Sequence, residues 1–192
     1  MKIKLLQFFL CCFGPVLACA QIQMLGRFES ISLKNLSGEL FSFRELKKNT
    51  ATVIVFLLPD CPACQSYSTT LNKLNEQYQK DGVAFYGVFP GTYNTLEEMN
   101  EFKNTYHIKF PLLCDPDKKL VKTIAAKVTP EVFVLNHETN IVYRGRIDDW
   151  MYALGKKKPV ITTHELADAL HAVVHHQPAK VSQTTAIGCI IE

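Results

Sequence analysis

The chain of 192 residues carries 21 lysine and arginine residues against 18 aspartate and glutamate residues, and 47% of its residues are hydrophobic. This length and composition fit one globular domain with a sizeable core. The small formal charge of +3 provides no basic field that would recruit nucleic acid or a membrane surface. We therefore expect neither of them as a partner.

The first twenty residues are typical of a secretory signal peptide. A basic start, Met1–Lys4, precedes an apolar stretch from Leu5 to Leu17. That stretch is shorter than the roughly 20 residues that a membrane-spanning helix needs, so we expect no transmembrane span. Ala18-Cys19-Ala20 fits the small-x-small rule for cleavage. The sequence predicts a signal peptide at 1–20 and an exported mature chain from Gln21.

A second form of processing stays open. Val16-Leu17-Ala18-Cys19 loosely resembles a bacterial lipoprotein box, which would leave Cys19 as a lipid anchor. Leu17 is large for that box, which favours cleavage after Ala20. Either form would be periplasmic or envelope-associated in a bacterium.

The mature chain would keep four of the seven cysteines: Cys61, Cys64, Cys114 and Cys189. Export permits disulfides, but a domain of this size does not need them to fold. A C-x-x-C motif in such a chain therefore indicates redox chemistry more than a structural cross-link.

Hydrophobic periodicity predicts the elements of the domain. In chain order they are a hairpin within 28–46, a buried strand at 52–58, a helix that begins near Cys61 and ends at Gly82, a buried strand at 83–89, a helix opened by the capping box 95–98, a helix from Asp115-Pro116, a strand hairpin at 131–135 and 141–144, and a helix from the capping box 162–165 to His176. Residues 21–176 form the predicted domain, and 177–192 form an extended C-terminal tail. The two long strands need a helical crossover, which makes them parallel. The predicted fold is α/β, with a mixed central sheet, helices on both faces and an N-terminal β-hairpin.

The main candidate site is Cys61-Pro62-Ala63-Cys64, which follows a buried strand and opens an amphipathic helix. Unpaired N–H groups and the helix dipole at that position favour the thiolate, which is the nucleophile. Cys64 follows about one turn later on the apolar face. We expect Cys61 to be an exposed attacking cysteine and Cys64 a buried resolving cysteine, which together form a dithiol–disulfide pair.

Asp60 opposes the helix end, because a carboxylate beside Cys61 disfavours a negative thiolate. A structural disulfide and half of a zinc site are the alternatives for the C-x-x-C motif. Zinc needs a second ligand pair, and the sequence has no other C-x-x-C. We predict no metal and no cofactor.

Val128-Thr129-Pro130 stands just before the strand that begins at Glu131. With the position of the C-x-x-C motif, this layout resembles the thioredoxin superfamily. The resemblance implies that Pro130 is cis and packs beside the cysteines, and that the Thr129 backbone pairs with the extended chain of a substrate. The alternative is an ordinary proline that begins a strand.

From Phe28 onward the chain is similar to the redoxin (AhpC/TSA-type, peroxiredoxin-like) branch of that superfamily. The similarity is carried by the segments 33–38, 82–86, 129–135 and 143–149, and by a Gly188-Cys189 ending like that of one exported subgroup. Two departures stand out. Leu58 replaces the Thr or Ser of the peroxidase motif, with Val55 and Ile54 where its proline would be, and Asp60 replaces the Trp of thioredoxin.

Several other residues have more than one possible role. Cys189 is a candidate third redox cysteine on a mobile tail, which would relay electrons to or from Cys61; a free thiol and a partner for Cys114 are the alternatives. Arg144 and Arg146 are expected on a solvated strand edge. His171 and His175 have metal-ligand spacing without an evident third ligand, which favours a solvated patch.

The sequence therefore predicts an exported thiol–disulfide oxidoreductase that acts on protein thiols or disulfides, or with a redox partner protein. Cys61 and Cys64 are the predicted catalytic residues, and Thr129 and Pro130 are predicted to bind substrate. A peroxiredoxin-like thiol peroxidase and a copper metallochaperone are the alternative functions.

Overall fold

The computed structural model describes residue 28 and residues 30–192. The predicted signal peptide and the alternative lipid anchor at Cys19 lie outside these residues. Within them, no helix has both the length and the apolar character that crossing a membrane requires. The elements are β1 Ser32–Asn35, β2 Leu40–Ser42, a 3-10 helix Phe43–Lys48, β3 Ala51–Phe56, α1 Pro62–Tyr78, a 3-10 turn Gln79–Asp81, β4 Val83–Pro90, α2 Leu96–Thr105, β5 Leu112–Asp115, α3 Lys119–Ile124, β6 Val128–Thr129, β7 Glu131–Asn136, β8 Ile141–Gly145, β9 Met151–Ala153, β10 Lys156–Lys157, α4 Glu165–Val174 and β11 Cys189–Ile190.

Seven strands form one mixed sheet in the order β2-β1-β5-β4-β3-β7-β8. The predicted N-terminal hairpin, β1–β2, is confirmed as an antiparallel pair. The predicted parallel pair, β3–β4, is also confirmed, with Ala51 opposite Val83. The chain therefore has the thioredoxin-like α/β fold that the sequence predicts.

Strand β3 shows why the central run of the sequence is almost continuously apolar. Val53 and Val55 face one core, together with α1, α2 and α4. Ile54 and Phe56 face a second core on the other side of the sheet, which the 3-10 helix at 43–48 and α3 cover. Because successive side chains point to opposite faces, a strand buried on both faces is apolar on both of them. The buried exception, Thr52, accepts a hydrogen bond from the Asn49 side chain at 3.1 Å.

The segment around Asp115 differs from its prediction. Residues 112–115 form strand β5, which lies between β1 and β4 in the sheet, and the helix begins only at Lys119. The Asp115 carboxylate accepts hydrogen bonds from the backbone N–H groups of Lys119, Leu120 and Val121 at 2.7–3.0 Å. Asp115 therefore caps the helix from the end of a strand, whereas the sequence pattern predicts a cap directly before the first turn.

One of the two predicted capping boxes is confirmed. Thr95 and Glu98 bond reciprocally at the start of α2. The predicted box 162–165 is wrong, because His164 occupies the cap position and makes no capping bond through its side chain. Thr163 and Glu165 bond to each other instead, and Glu165 also pairs with Arg146.

Candidate active site

Cys61 occupies the cap position of α1, after the short segment 57–60 that follows the central strand β3. Its backbone is extended, and Pro62 occupies the first helical turn, where a missing N–H is tolerated. The strand-to-helix junction therefore places the Cys61 sulfur at the positive end of a 17-residue helix. This position agrees with the one that the sequence predicts.

The bonding partner of Cys61 differs from the predicted pair. Cys61 forms a disulfide with Cys189 across 128 positions of sequence, with Cα atoms 6.1 Å apart. Cys64 and Cys114 are free thiols, so the alternative bond between Cys114 and Cys189 is not the one that forms. The expectation that Cys61 is exposed is wrong in this form, because only 1% of the residue is exposed once the tail is bonded to it.

Cys64 lies below Cys61 and is fully buried, as expected for a resolving cysteine. Burial raises the pKa of the Cys64 thiol from 9.0 to about 12. The backbone N–H of Leu58, 3.5 Å from the sulfur, opposes this shift, and the charge of Asp60 adds to it. Cys64 is therefore mostly a neutral thiol, and it reacts through the small fraction that is ionised to the thiolate.

The Thr129–Pro130 peptide bond is cis, as the resemblance to the thioredoxin superfamily implies. The carbonyl oxygen of Thr129 lies 3.2 Å from the Cys61 sulfur. In the disulfide this is a contact without a proton, and in the reduced form the Cys61 thiol can donate to the same oxygen. The loop therefore lies directly against the reactive sulfur.

The C-terminal tail pairs with the backbone of this loop. Strand β11 pairs antiparallel with β6, with Cys189 opposite Thr129 and Ile190 opposite Val128. The N–H of Ile191 then donates to the Lys127 carbonyl at 2.9 Å. An extended backbone thus occupies the position that the resemblance assigns to a substrate chain.

The predicted tail is docked along its length rather than free. The N–H of Arg144 donates to the Ser182 carbonyl, and the N–H of Thr184 donates to the Arg144 carbonyl, both at 3.0 Å. The hydroxyl of Thr184 lies 2.7 Å from that of Tyr143 and accepts from the N–H of Arg146 at 3.0 Å. The tail covers the β8 edge before it reaches Cys61.

The expectation of a solvated edge at Arg144 and Arg146 is wrong for this reason. Arg144 donates to the Glu131 carboxylate at 2.8 Å, and Glu131 accepts the N–H of Lys127 at 2.7 Å. Glu131 follows Pro130 directly and is 5% exposed. The ion pair therefore ties both sides of the cis-proline loop to β8.

A buried polar group behind the cysteines was missed by the sequence interpretation. The Tyr67 hydroxyl, on α1, donates to the Asp148 carboxylate at 2.8 Å and accepts the N–H of Met151 at 3.2 Å. Asp148 and its neighbour Asp149 are only 2% and 3% exposed. Burial and the bond to Asp148 raise the pKa of Tyr67. The helix that carries Cys64 is thereby fixed to the loop after β8.

The remaining candidates lie away from this site. Cys114 is half-buried, with its sulfur 3.7 Å from that of Met99, and burial raises its pKa. His171 and His175 stack on each other at the surface, with ring centroids 4.2 Å apart. Within residue 28 and residues 30–192, no three His, Cys, Asp or Glu side chains are grouped so as to hold a metal ion.

Comparison with known structures finds relatives with this fold. A hypothetical protein of Sinorhizobium meliloti is 28% identical with a TM-score of 0.76, over 84% of this chain and 89% of that one. An uncharacterised conserved protein of Geobacillus kaustophilus is 27% identical with the same TM-score, over 84% and 87% of the two chains.

A more distant neighbour has a named activity. A secreted Mycobacterium tuberculosis disulfide oxidoreductase, described as homologous to DsbE of E. coli, is 19% identical with a TM-score of 0.58, over 79% of this chain and 98% of that one. At this identity the likeness supports the fold alone. Comparison with curated proteins found no match.

The family comparison agrees with the resemblance inferred from the motifs. The AhpC/TSA family model matches residues 26–144, which include both cysteines of the C-x-x-C motif and the Thr129–Pro130 bond. The match covers more than half of the chain. The chain therefore belongs to the AhpC/TSA family.

Proposed function

We propose that this chain is a thiol–disulfide oxidoreductase that exchanges disulfides with protein substrates through Cys61. One observation carries the proposal: the Cys61 sulfur is bonded to a cysteine in an extended strand that pairs with Thr129. A mixed disulfide between an enzyme cysteine and a substrate chain on that edge would have the same arrangement.

The proposed exchange with a substrate disulfide has two steps. The Cys61 thiolate attacks one substrate sulfur, and the other substrate sulfur leaves as a thiolate. The Cys64 thiolate then attacks Cys61, which closes the Cys61–Cys64 bond and releases the second substrate thiolate. Two electrons pass from the cysteine pair to the substrate, and the reverse sequence oxidises a substrate dithiol.

Cys189 acts in this proposal as a third redox cysteine. Its thiolate attacks Cys61 in the Cys61–Cys64 disulfide, which forms the Cys61–Cys189 bond and returns Cys64 to the thiol form. A dithiol of a redox partner protein then reduces Cys61–Cys189, and the partner leaves as a disulfide. The docking of the tail along β8 supports this role, because it holds Cys189 beside Cys61.

Replacement of the resolving cysteine tests the assignment of Cys64. In a Cys64→Ser variant made on a Cys189→Ser background, the mixed disulfide of Cys61 with a substrate should accumulate, since no thiolate remains to resolve it. Peptide mapping after acid quench identifies it, and Cys114→Ser serves as the matched control. Equal amounts of the Cys61–substrate disulfide with and without Cys64, both on the Cys189→Ser background, would refute the resolving role.

The departures from the peroxidase motif at Leu58, Val55 and Ile54 favour disulfide exchange over peroxide reduction. A thiol peroxidase would oxidise Cys61 to a sulfenic acid. We therefore expect Cys61 to react faster with a protein disulfide than with hydrogen peroxide. The reverse order of rates, followed by mass spectrometry of Cys61, would assign the peroxidase function instead.

We also propose that the protein is exported. The support is the signal-peptide pattern of residues 1–20. The intact mass of the protein purified from its host distinguishes cleavage after Ala20 from a lipid on Cys19. A chain that keeps Met1–Lys4 would overturn both forms of export.

A further inference from the structure

Gly188, the residue before the tail cysteine, packs against the backbone of the cis-proline loop. A Cβ atom at this position would overlap the Thr129 carbonyl oxygen, and it would lie 2.6 Å from the Thr129 carbonyl carbon and 3.1 Å from the Pro130 nitrogen. All three are backbone atoms, so no side-chain rotation can make room. The edge therefore admits only glycine directly before the bonded cysteine.

The neighbours of Gly188 and Cys189 add to this pattern. Ile187 packs against the core that contains Cys61, and Ile191 packs against the core on the opposite face of the sheet. Ile190 lies between Cys189 and Ile191 and is 73% exposed. The site therefore favours an apolar residue at the positions of Ile187 and Ile191 and requires glycine at the position of Gly188. It makes no demand at the position of Ile190, directly after the cysteine.

We infer that the site takes substrate cysteines in extended segments of the form apolar–Gly–Cys–any–apolar, and that the tail is a built-in copy of such a substrate. The inference rests on the proposed function and names its substrate class. An outside segment reaches Cys61 only when the tail leaves, since both use the edge of Val128 and Thr129. The tail therefore competes with substrate segments for the strand edge beside Cys61.

Peptides with the sequence of residues 183–192 test the inference. Each peptide carries glutathione on its cysteine, and the protein is the full chain with Cys64→Ser and Cys189→Ser. The Cys61 thiolate attacks the peptide sulfur, the Cys61–peptide disulfide forms, and glutathione leaves as a thiolate. Mass spectrometry with peptide mapping measures the rate at Cys61. The serine-bearing tail competes equally with every peptide, so it leaves the ratio of their rates unchanged.

The peptide with Gly188→Ala should form this adduct about ten- to a hundredfold more slowly, because overpacking against rigid backbone is costly. A Thr185→Ala peptide is the matched control and should react like the native sequence, since Thr185 is exposed in the docked tail. Equal rates for the glycine and alanine peptides would overturn the inference. So would a native peptide that reacts no faster than glutathione disulfide.

Glutathione disulfide separates the two levels of the proposal. It has neither a glycine before its cysteine nor apolar residues around it, so it reports on the exchange chemistry of Cys61 without the selectivity inferred from the tail. If Cys61 reacts with it while the peptides show no preference, the substrate class fails and the proposed function stands. If Cys61 reacts with neither glutathione disulfide nor any peptide, the proposed function itself fails.

Discussion

Cys189 lies directly opposite Thr129 in an antiparallel pair, and the Thr129 carbonyl lies 3.2 Å from the sulfur of Cys61. The tail cysteine and the attacking cysteine are therefore held on either side of one backbone segment. This arrangement brings Cys189 to Cys61 through backbone pairing rather than by chance encounters of a free tail.

Gly188→Ala in the full chain should lower the fraction of Cys61–Cys189 disulfide by about tenfold or more relative to Cys61–Cys64, because the added Cβ displaces the strand from the loop. Peptide mapping of the oxidised protein measures the two disulfides. Thr185→Ala, at an exposed tail position, is the control and should leave their ratio unchanged. An unchanged ratio in Gly188→Ala would show that the tail can pair with Cys61 without the observed close approach.

The high pKa of Cys64 predicts how the internal exchange depends on pH. The Cys64 thiolate must attack Cys61 to release Cys189, and its fraction rises about tenfold per pH unit below a pKa of about 12. The rate at which Cys189 is released should therefore keep rising with pH up to about pH 9. Excess maleimide, which traps the released Cys189 thiol, measures this rate. A rate that reaches a plateau near neutral pH would contradict the burial of the Cys64 thiol.

Tyr67→Phe should destabilise the protein, because it leaves the buried Asp148 carboxylate and the Met151 N–H each without one partner. Loss of a hydrogen bond to a charged group costs about 2 kcal/mol. Urea unfolding measures this loss, and Tyr152→Phe, at a tyrosine that is 55% exposed, is the control. Equal stabilities of the two variants would show that the Tyr67 hydroxyl makes no net contribution.

Glu165 provides a test of stability against pH. Burial opposes its ionisation, but the bonds from Arg146 and Thr163 outweigh burial and lower its pKa below 4.5. A lowered folded-state pKa stabilises the native state above the unfolded pKa, and this contribution is lost as the pH falls through the folded value.

Glu165→Gln should therefore cost about 1 kcal/mol at neutral pH, and the difference from the unaltered protein should shrink below about pH 4. Urea unfolding across that range measures it, with the exposed Glu101→Gln as the control. A difference that stays constant with pH would contradict the ion pair as its source.

The local patterns predicted most of the scaffold. The apolar run of β3, the helix that starts after Cys61, and the Thr95–Glu98 box each depend on residues close in sequence. The predicted helix start at Asp115 was wrong, because this side chain lies at the end of a strand and reaches over three residues to cap α3. Strand β5 has only four residues and follows a proline, so periodicity carries little signal there.

The candidate site was predicted only in part, because sequence patterns report on neighbouring residues and the site also joins residues that are far apart in the sequence. The positions of Cys61 and Cys64 follow from their motif and its place after a buried strand, and the cis Pro130 is what the resemblance to the thioredoxin superfamily implies. The bond from Cys61 to Cys189 spans 128 positions and depends on the docking of the tail, which no local pattern encodes. The Gly-Cys pair near the end of the chain was the available signal, because a glycine before a cysteine can mark a close backbone approach.

The most direct test is disulfide mapping of the mature protein across glutathione buffers of defined potential. We predict that Cys61 is bonded to Cys189 or to Cys64 in the oxidising buffers, that the two disulfides interconvert, and that both open reversibly as the buffer becomes reducing. A Cys61 that never forms either disulfide, or a Cys61–Cys189 bond that never exchanges with Cys64, would contradict it.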